Sequence, residues 1–160
     1  MKRRSLIKAA AVLISTASLT APVISFAQNK PWVEVWKTPT CGCCHDWIAH
    51  MEENGFQVKV HDLSEAAKTA QRQKLGMPEK LGSCHTAVVN GYVLEGHVPA
   101  RDIHQLLKER PRALGLAVPG MPVGSPGMDG PAYGQRKDPF DVLLVSVDGS
   151  ARIYKSYNRS

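Results

Sequence analysis

Trp32-Val33-Glu34-Val35-Trp36-Lys37-Thr38-Pro39-Thr40-Cys41-Gly42-Cys43-Cys44 is the stretch that decides how this chain is read. Trp32 to Trp36 alternates β-favouring residues with polar ones and predicts a short strand. Thr38-Pro39-Thr40 breaks it. Three cysteines then fall within four residues, at the start of a helical pattern from His45 to about Glu53 in which Trp47, Ile48 and Met51 form the apolar face. Asn54-Gly55 reads as its stop. A strand, a tight turn with Cys41-x-x-Cys44, and a helix place thiols at a helix N-terminus. There, unpaired backbone N–H groups and the helix dipole favour the thiolate, the form that attacks disulfides and binds metals.

Outward from that point the chain alternates strands and helices. Phe56 to Val60 predicts a second strand, and Ser64-Glu65 opens a second helix ending near Leu75-Gly76. Thr86 to Val89 and Tyr92 to Glu95 flank an Asn90-Gly91 turn, the signature of a hairpin. Pro99 and the residues from Ala100 to Arg110 predict a third helix with Ile103, Leu106 and Leu107 inward. Pro111 to Pro139 is rich in Pro, Gly and Met and is expected to be irregular. Phe140 to Val147 and Ala151 to Tyr154, joined at Asp148-Gly149, predict a final hairpin. The order βαβα-ββα, with cysteines at the first strand-to-helix turn, predicts an α/β, thioredoxin-like domain carrying a C-terminal Pro/Gly/Met-rich loop and a β-hairpin extension.

The N-terminus reads as an export signal. Lys2, Arg3, Arg4 and Lys8 form a positive region, an apolar run follows from Ala9 to about Ile24, and Ser25-Phe26-Ala27 supplies small residues at the −3 and −1 positions of a cleavage site. The run is too short and too rich in Ser and Thr for a stable membrane anchor. Arg3-Arg4-Ser5-Leu6-Ile7-Lys8 resembles the twin-arginine motif, with an ordinary Sec leader as the alternative. The expectation is a signal peptide over 1–27 and a metal-binding domain over 28–160, in the periplasm. The leader holds four of the 20 basic residues and none of the 14 acidic ones, so the remaining chain carries 16 − 14 = +2 of the formal +6. No basic patch with interleaved aromatics supports a nucleic-acid partner.

All four cysteines lie beyond the leader. Two structural disulfides are the usual reading in an oxidising compartment. Clustering argues against it here, because a bridge inside the cluster closes a very short loop and stabilises little. Metal or redox chemistry explains clustered thiols better. Cys84 joins Cys41, Cys43 and Cys44 through a local likeness: Ser83 to Gly91 resembles the glutaredoxin stretch before its Asn-Gly turn, with His85 where that family has a cis-proline. Cys84 then sits on the loop facing the first cysteines. Four thiolates suit Cu(I), zinc or an iron–sulfur cluster. Zinc ribbons use two separated C-x-x-C knuckles, absent here, and three thiols at one helix start favour bridging sulfurs and a multinuclear Cu(I) cluster. Met121 and Met128, on Pro-Gly-Met loops, are either soft thioether ligands or gap-fillers. His85 is a candidate ligand or a support for Cys84. His97, at a strand end, reads as a histidine satisfied by its neighbours, with lining of the site as the alternative. Trp47 reads as core, His45 as solvent-facing, and His50, His61 and His104 as surface residues.

Taken together, Thr38-Pro39-Thr40-Cys41-Gly42-Cys43-Cys44 with Trp47, Ser83-Cys84-His85-Thr86-Ala87, Gly91-Tyr92, Glu95-Gly96-His97-Val98-Pro99 and Pro119-Gly120-Met121-Pro122 through Pro126-Gly127-Met128 resemble the CopG-type proteins, a family of small periplasmic metal-binding proteins. The resemblance implies a thioredoxin-like fold and a role in copper resistance. It implies a copper site at Cys41, Cys43, Cys44 and Cys84 that changes oxidation state. Copper ions are the implied partner, with other periplasmic copper-resistance proteins beside them. The competing expectation is a periplasmic thiol–disulfide oxidoreductase that uses Cys41 and Cys44. A third, a zinc-stabilised module, is the weakest.

Overall fold

The computed structural model describes residues 29–159, so the predicted leader lies outside the described residues. Seven strands and three helices follow one another as β1 (Trp32–Lys37), α1 (Gly42–Glu53), β2 (Gln57–Asp62), α2 (Glu65–Lys74), β3 (Thr86–Val89), β4 (Tyr92–Glu95), α3 (Ala100–Glu109), β5 (Gly115–Ala117), β6 (Phe140–Val145) and β7 (Ala151–Tyr157), with single 3-10 turns at Glu79–Leu81 and Pro131–Tyr133. The strands form one mixed sheet in the order β2-β1-β3-β4-β5-β6-β7. β1 pairs parallel with β2 across α1, and β4 pairs parallel with β5 across α3, the crossovers that parallel neighbours require. The remaining neighbours are antiparallel.

The register explains the core. Val35 pairs with Ala87, Ala87 with Leu94, Leu94 with Leu116, and Leu116 with Leu144. Side chains directly opposite each other share a face, so these five make one apolar row across the sheet. Trp47 and Met51 of α1 and Ala100, Ile103 and Leu106 of α3 belong to the same buried cluster. Val93, Ala117 and Val145 point the other way and meet Met77 and Leu81, which follow α2. α2 itself has almost no apolar face. It buries Lys68 and Arg72, four residues apart, with Ser64 capping its start by accepting from the Ala67 N–H at 3.3 Å.

Two local features depart from the sequence expectation, and the expected C-terminal hairpin is found. α1 begins at Gly42 rather than His45, because the Cys41 carbonyl accepts from the His45 N–H at 3.3 Å and makes Cys41 the N-cap. Cys43 and Cys44 therefore lie inside the first turn. Within the stretch expected to be irregular, Gly115–Ala117 is a strand, buried throughout. It is too short to show a period, and a strand covered on both faces need not alternate. The C-terminal hairpin continues the sheet and is tied to α3: the Tyr157 hydroxyl donates to Asp102 at 2.6 Å and the Tyr154 hydroxyl to Glu109 at 2.8 Å. Among the described residues no helix is long and apolar enough to cross a membrane.

Gly115 shows how tightly β4 and β5 are joined. A Cβ at this position would overlap the Val93 carbonyl oxygen and its backbone neighbours. Gly115→Val is expected to destabilise the chain by about 2 kcal/mol or more, read as a lower thermal midpoint. An unchanged midpoint would contradict the β4–β5 pairing.

Candidate metal centre

Two backbone turns bring the four cysteines together. After β1, the Cys41 N–H donates to the Thr38 carbonyl at 3.2 Å, and this turn delivers the chain into α1. Cys84 arrives from the other side, on the segment entering β3. The four sulfurs lie within 4.8 Å of one another. Cys41 and Cys44 are joined as a disulfide, and Cys43 and Cys84 are free. The Cys43 sulfur is 3.6 Å from that of Cys41 and 3.9 Å from that of Cys84. Cys41 makes no capping hydrogen bond with its side chain among the described residues. The predicted convergence of Cys84 on the Cys41–Cys44 turn is thus found in the geometry.

The hairpin adds two imidazoles. Thr86 pairs with Glu95 in the β3–β4 register, and one step outward the Gly96 N–H donates to the His85 carbonyl at 2.9 Å. A further step sets Cys84 against His97, whose Nε2 is 3.0 Å from the Cys84 sulfur. His85 Nδ1 is 3.3 Å from the same sulfur. Both rings are buried. The His97 ring is oriented by Pro126: its Nδ1–H donates to the Pro126 carbonyl at 2.8 Å, which leaves Nε2 as a lone pair facing the sulfur. His85 packs against the Trp47 ring at 4.4 Å, and the Trp47 N–H donates to the Val98 carbonyl at 2.9 Å. Trp47 is core, as expected. His97 is the residue beside Cys84 that the sequence reading underrated. Its signal was present, because Cys84 and His97 stand equally far from the Asn90-Gly91 turn, so the hairpin must pair them.

Burial favours the neutral forms of Cys84, His85 and His97. Burial pushes the Cys84 thiol up, to about 12, with the neighbouring Cys43 adding to the rise. Cys84 is therefore an S–H that donates to the His97 lone pair. Burial drives His85 well below the usual histidine range, and His97 beside it lowers it further. Burial lowers His97 as well, against the opposing pull of the Pro126 carbonyl. Lys68, buried under the loop, donates to the Cys84 carbonyl at 3.1 Å.

The other candidates separate clearly. Gly127 adopts φ +82°, and a Cβ there would meet the Cys43 carbonyl oxygen at 2.6 Å and the Trp47 nitrogen at 2.7 Å. Glycine thus lets the Pro126-Gly127 loop lie against the first turn of α1 while presenting the Pro126 carbonyl to His97. Met128 is buried, its sulfur accepting from the Tyr133 hydroxyl at 3.3 Å, whereas Met121 is 52 % exposed. His45 is exposed. His50 does more than decorate the surface, since its Nε2 accepts from the Ala100 N–H at 3.1 Å and satisfies a free donor at the start of α3. His61 stacks on Trp36 and bonds Glu34, and His104 bonds the Asn54 carbonyl.

One buried carboxylate holds the Cys84-His85 segment in place. Glu95 accepts from the Ser83 N–H at 2.6 Å, from the Thr86 hydroxyl at 2.6 Å and from Arg72 at 3.4 Å. It thus grips the chain on both sides of the two residues that reach the site. Burial raises the Glu95 pKa, and these donors hold back part of the rise. Glu95→Ala strands Arg72 and two further donors, and is expected to cost about 3 kcal/mol or more. Chemical denaturation measures this, and a wild-type midpoint would remove Glu95 from the account.

Comparison with known proteins follows the same residues. A family model described as "Protein of unknown function, DUF411" matches residues 81–128, the stretch that carries Cys84, His85, His97 and the Pro-Gly-Met loops. Two solved structures titled copper resistance protein CopG are similar over most of the chain. Form 1 is 45 % identical, covering 79 % of this chain and 96 % of that one with a TM-score of 0.71. Form 2 is 46 % identical, covering 79 % of this chain and 98 % of that one with a TM-score of 0.72. No curated protein matches. At this identity, over nearly the whole length of both structures, the chain belongs to the CopG family.

Proposed function

We propose that this protein binds copper in copper resistance, through Cys41, Cys43, Cys44 and Cys84, and that the bound form is Cu(I) shared among bridging thiolates. The observation that carries the reading is the meeting of four sulfurs within 4.8 Å at one helix start. Once the Cys41–Cys44 bond is reduced to two thiols, four thiols in so small a volume can supply several soft donors, and thiolate selects Cu(I) over harder ions. The donor set fits the ion in a second respect: Cys84 is held as a neutral thiol by burial, so an entering cation replaces its proton and relieves the crowding of sulfur on sulfur. Similarity to two structures of copper resistance protein CopG supports copper as the ion.

The finer parts of the reading belong with it. Release of residues 1–27 as a signal peptide would deliver the domain at 28–160 to the periplasm, where copper resistance proteins can meet the metal outside the cytoplasm. Strands β2-β1-β3-β4, with the β1–β2 pair parallel and the β1–β3 and β3–β4 pairs antiparallel, support a thioredoxin-like core to which β5, β6 and β7 are added. Cycling of copper between Cu(I) and Cu(II) fits a site that also contains a redox-active cysteine pair.

The Cys41–Cys44 disulfide at the N-terminus of α1 favours a second reading, a thiol–disulfide oxidoreductase. One substitution separates the two. The copper reading expects reduced protein to bind more than one Cu(I) per chain under anaerobic competition with a chromophoric chelator. It also expects Cys84→Ser to weaken that binding at least tenfold. The oxidoreductase reading expects Cys84→Ser to leave disulfide reduction intact and reduced protein to take up no Cu(I). The second result would overturn the copper reading.

A further inference from the structure

Joining Cys41 to Cys44 removes two of the four sulfurs from metal chemistry, yet a second donor set remains assembled in this same state. The Cys84 sulfur, an imidazole nitrogen of His85 and one of His97 lie within 4.8 Å of one another. None of these three side chains takes part in the disulfide. His97 Nε2 has its lone pair turned to the sulfur by the Pro126 carbonyl behind the ring, the arrangement that prepares a histidine for a metal. His85 is fully buried, and the ring nitrogen it presents to the site is Nδ1, 3.3 Å from the Cys84 sulfur.

The distances suit a single ion. Bonds of about 2.3 Å to sulfur and 2.0 Å to nitrogen at a tetrahedral angle place those atoms about 3.5 Å apart. The sulfur-to-nitrogen separations here are 3.0 and 3.3 Å, so a small rotation of each side chain opens the space. One thiolate with two imidazoles is a donor set that copper accepts in either oxidation state, whereas a cluster of thiolates alone favours Cu(I).

We propose that Cys84, His85 and His97 form a single-ion copper site that stays competent while Cys41 and Cys44 are joined, so that the state of the disulfide sets how much metal the protein holds rather than whether it holds any. This rests on the copper-binding reading and deepens it by naming its regulation. Cys84 belongs to both donor sets. The disulfide form holds one ion, and the dithiol form, with all four sulfurs free, holds more.

The test uses residues 28–160 carrying Cys43→Ser, with the Cys41–Cys44 disulfide verified by thiol counting, so that Cys84 is the sole free thiol. Co(II) serves as the probe because its thiolate charge-transfer and tetrahedral d–d bands report sulfur ligation. One equivalent is expected to bind with both sets of bands, and His97→Gln is expected to weaken binding at least tenfold. Nitrogen NMR of the chain with both histidines intact is expected to show metal-dependent shifts at His85 and His97, a readout that does not depend on a variant's folding. No uptake of one equivalent, or uptake with unshifted imidazole signals, would overturn the proposal. Cu(I) loading of the unsubstituted chain in both redox states keeps the two readings apart. Uptake by the dithiol form alone would sink this inference and leave the copper cluster standing. Failure of the dithiol form would sink the cluster, while the Co(II) result still decides the three-residue site.

Discussion

The antiparallel pairing of β3 with β4 is the constraint on which the site depends. Its register is set by a two-residue turn, Asn90-Gly91, in which both residues have positive φ. Once Thr86 faces Glu95, the residues beyond the paired segment have no freedom about whom they meet. Cys84 must face His97. A slip of one residue would turn Cys84 away from the cysteines on α1 and bring Ser83 or His85 to its place. The hairpin is central in the sheet, flanked by β1 and β5, so the register is held from both sides.

Around that hairpin the protein spends buried polar groups in an unusual way. Glu95, Arg72, Lys68, His85 and His97 all lie in the interior near Cys84. Most are matched: Glu95 to the Ser83 and Thr86 donors, Lys68 to the Cys84 carbonyl, His97 to Pro126. A half-satisfied network is costly in a low-dielectric interior, and the unsatisfied atoms here are few, Arg72 Nε and His85 Nε2 among the described residues. The second belongs to the ring whose other nitrogen, Nδ1, lies 3.3 Å from the Cys84 sulfur. α2 has given up an apolar face to supply this network, and its Lys68 and Arg72 stems cover the sheet instead.

Much of this was legible beforehand, and the misses have physical reasons. The first strand, the cysteine turn, the three helices and the central hairpin follow from period, turn residues and capping. The convergence of Cys84 on Cys41, Cys43 and Cys44 was readable because Ser83 to Gly91 resembles the glutaredoxin stretch before its Asn-Gly turn, which puts Cys84 on the loop facing the first cysteines. The first turn of α1 was hidden because Gly42 is a poor helix former, and cysteines carry no apolar period to mark it. β5 was hidden because three residues, Gly115, Leu116 and Ala117, are too few to show a pattern. His97 was hidden by reading along the chain: its partner is 13 residues away and appears only when the two arms of the hairpin are counted together. The tautomer of His97 lay beyond the sequence altogether, since it depends on a carbonyl brought in by the Pro126-Gly127 loop.

The central claim is that sulfur from both sides of the site holds copper, and copper X-ray absorption on the reduced, Cu(I)-loaded protein tests it most directly. The account predicts a first shell dominated by sulfur at about 2.3 Å, with a copper–copper contribution from bridging thiolates, and loss of part of the sulfur shell in Cys84→Ser. A first shell of nitrogen and oxygen alone, unchanged by that substitution, would contradict it.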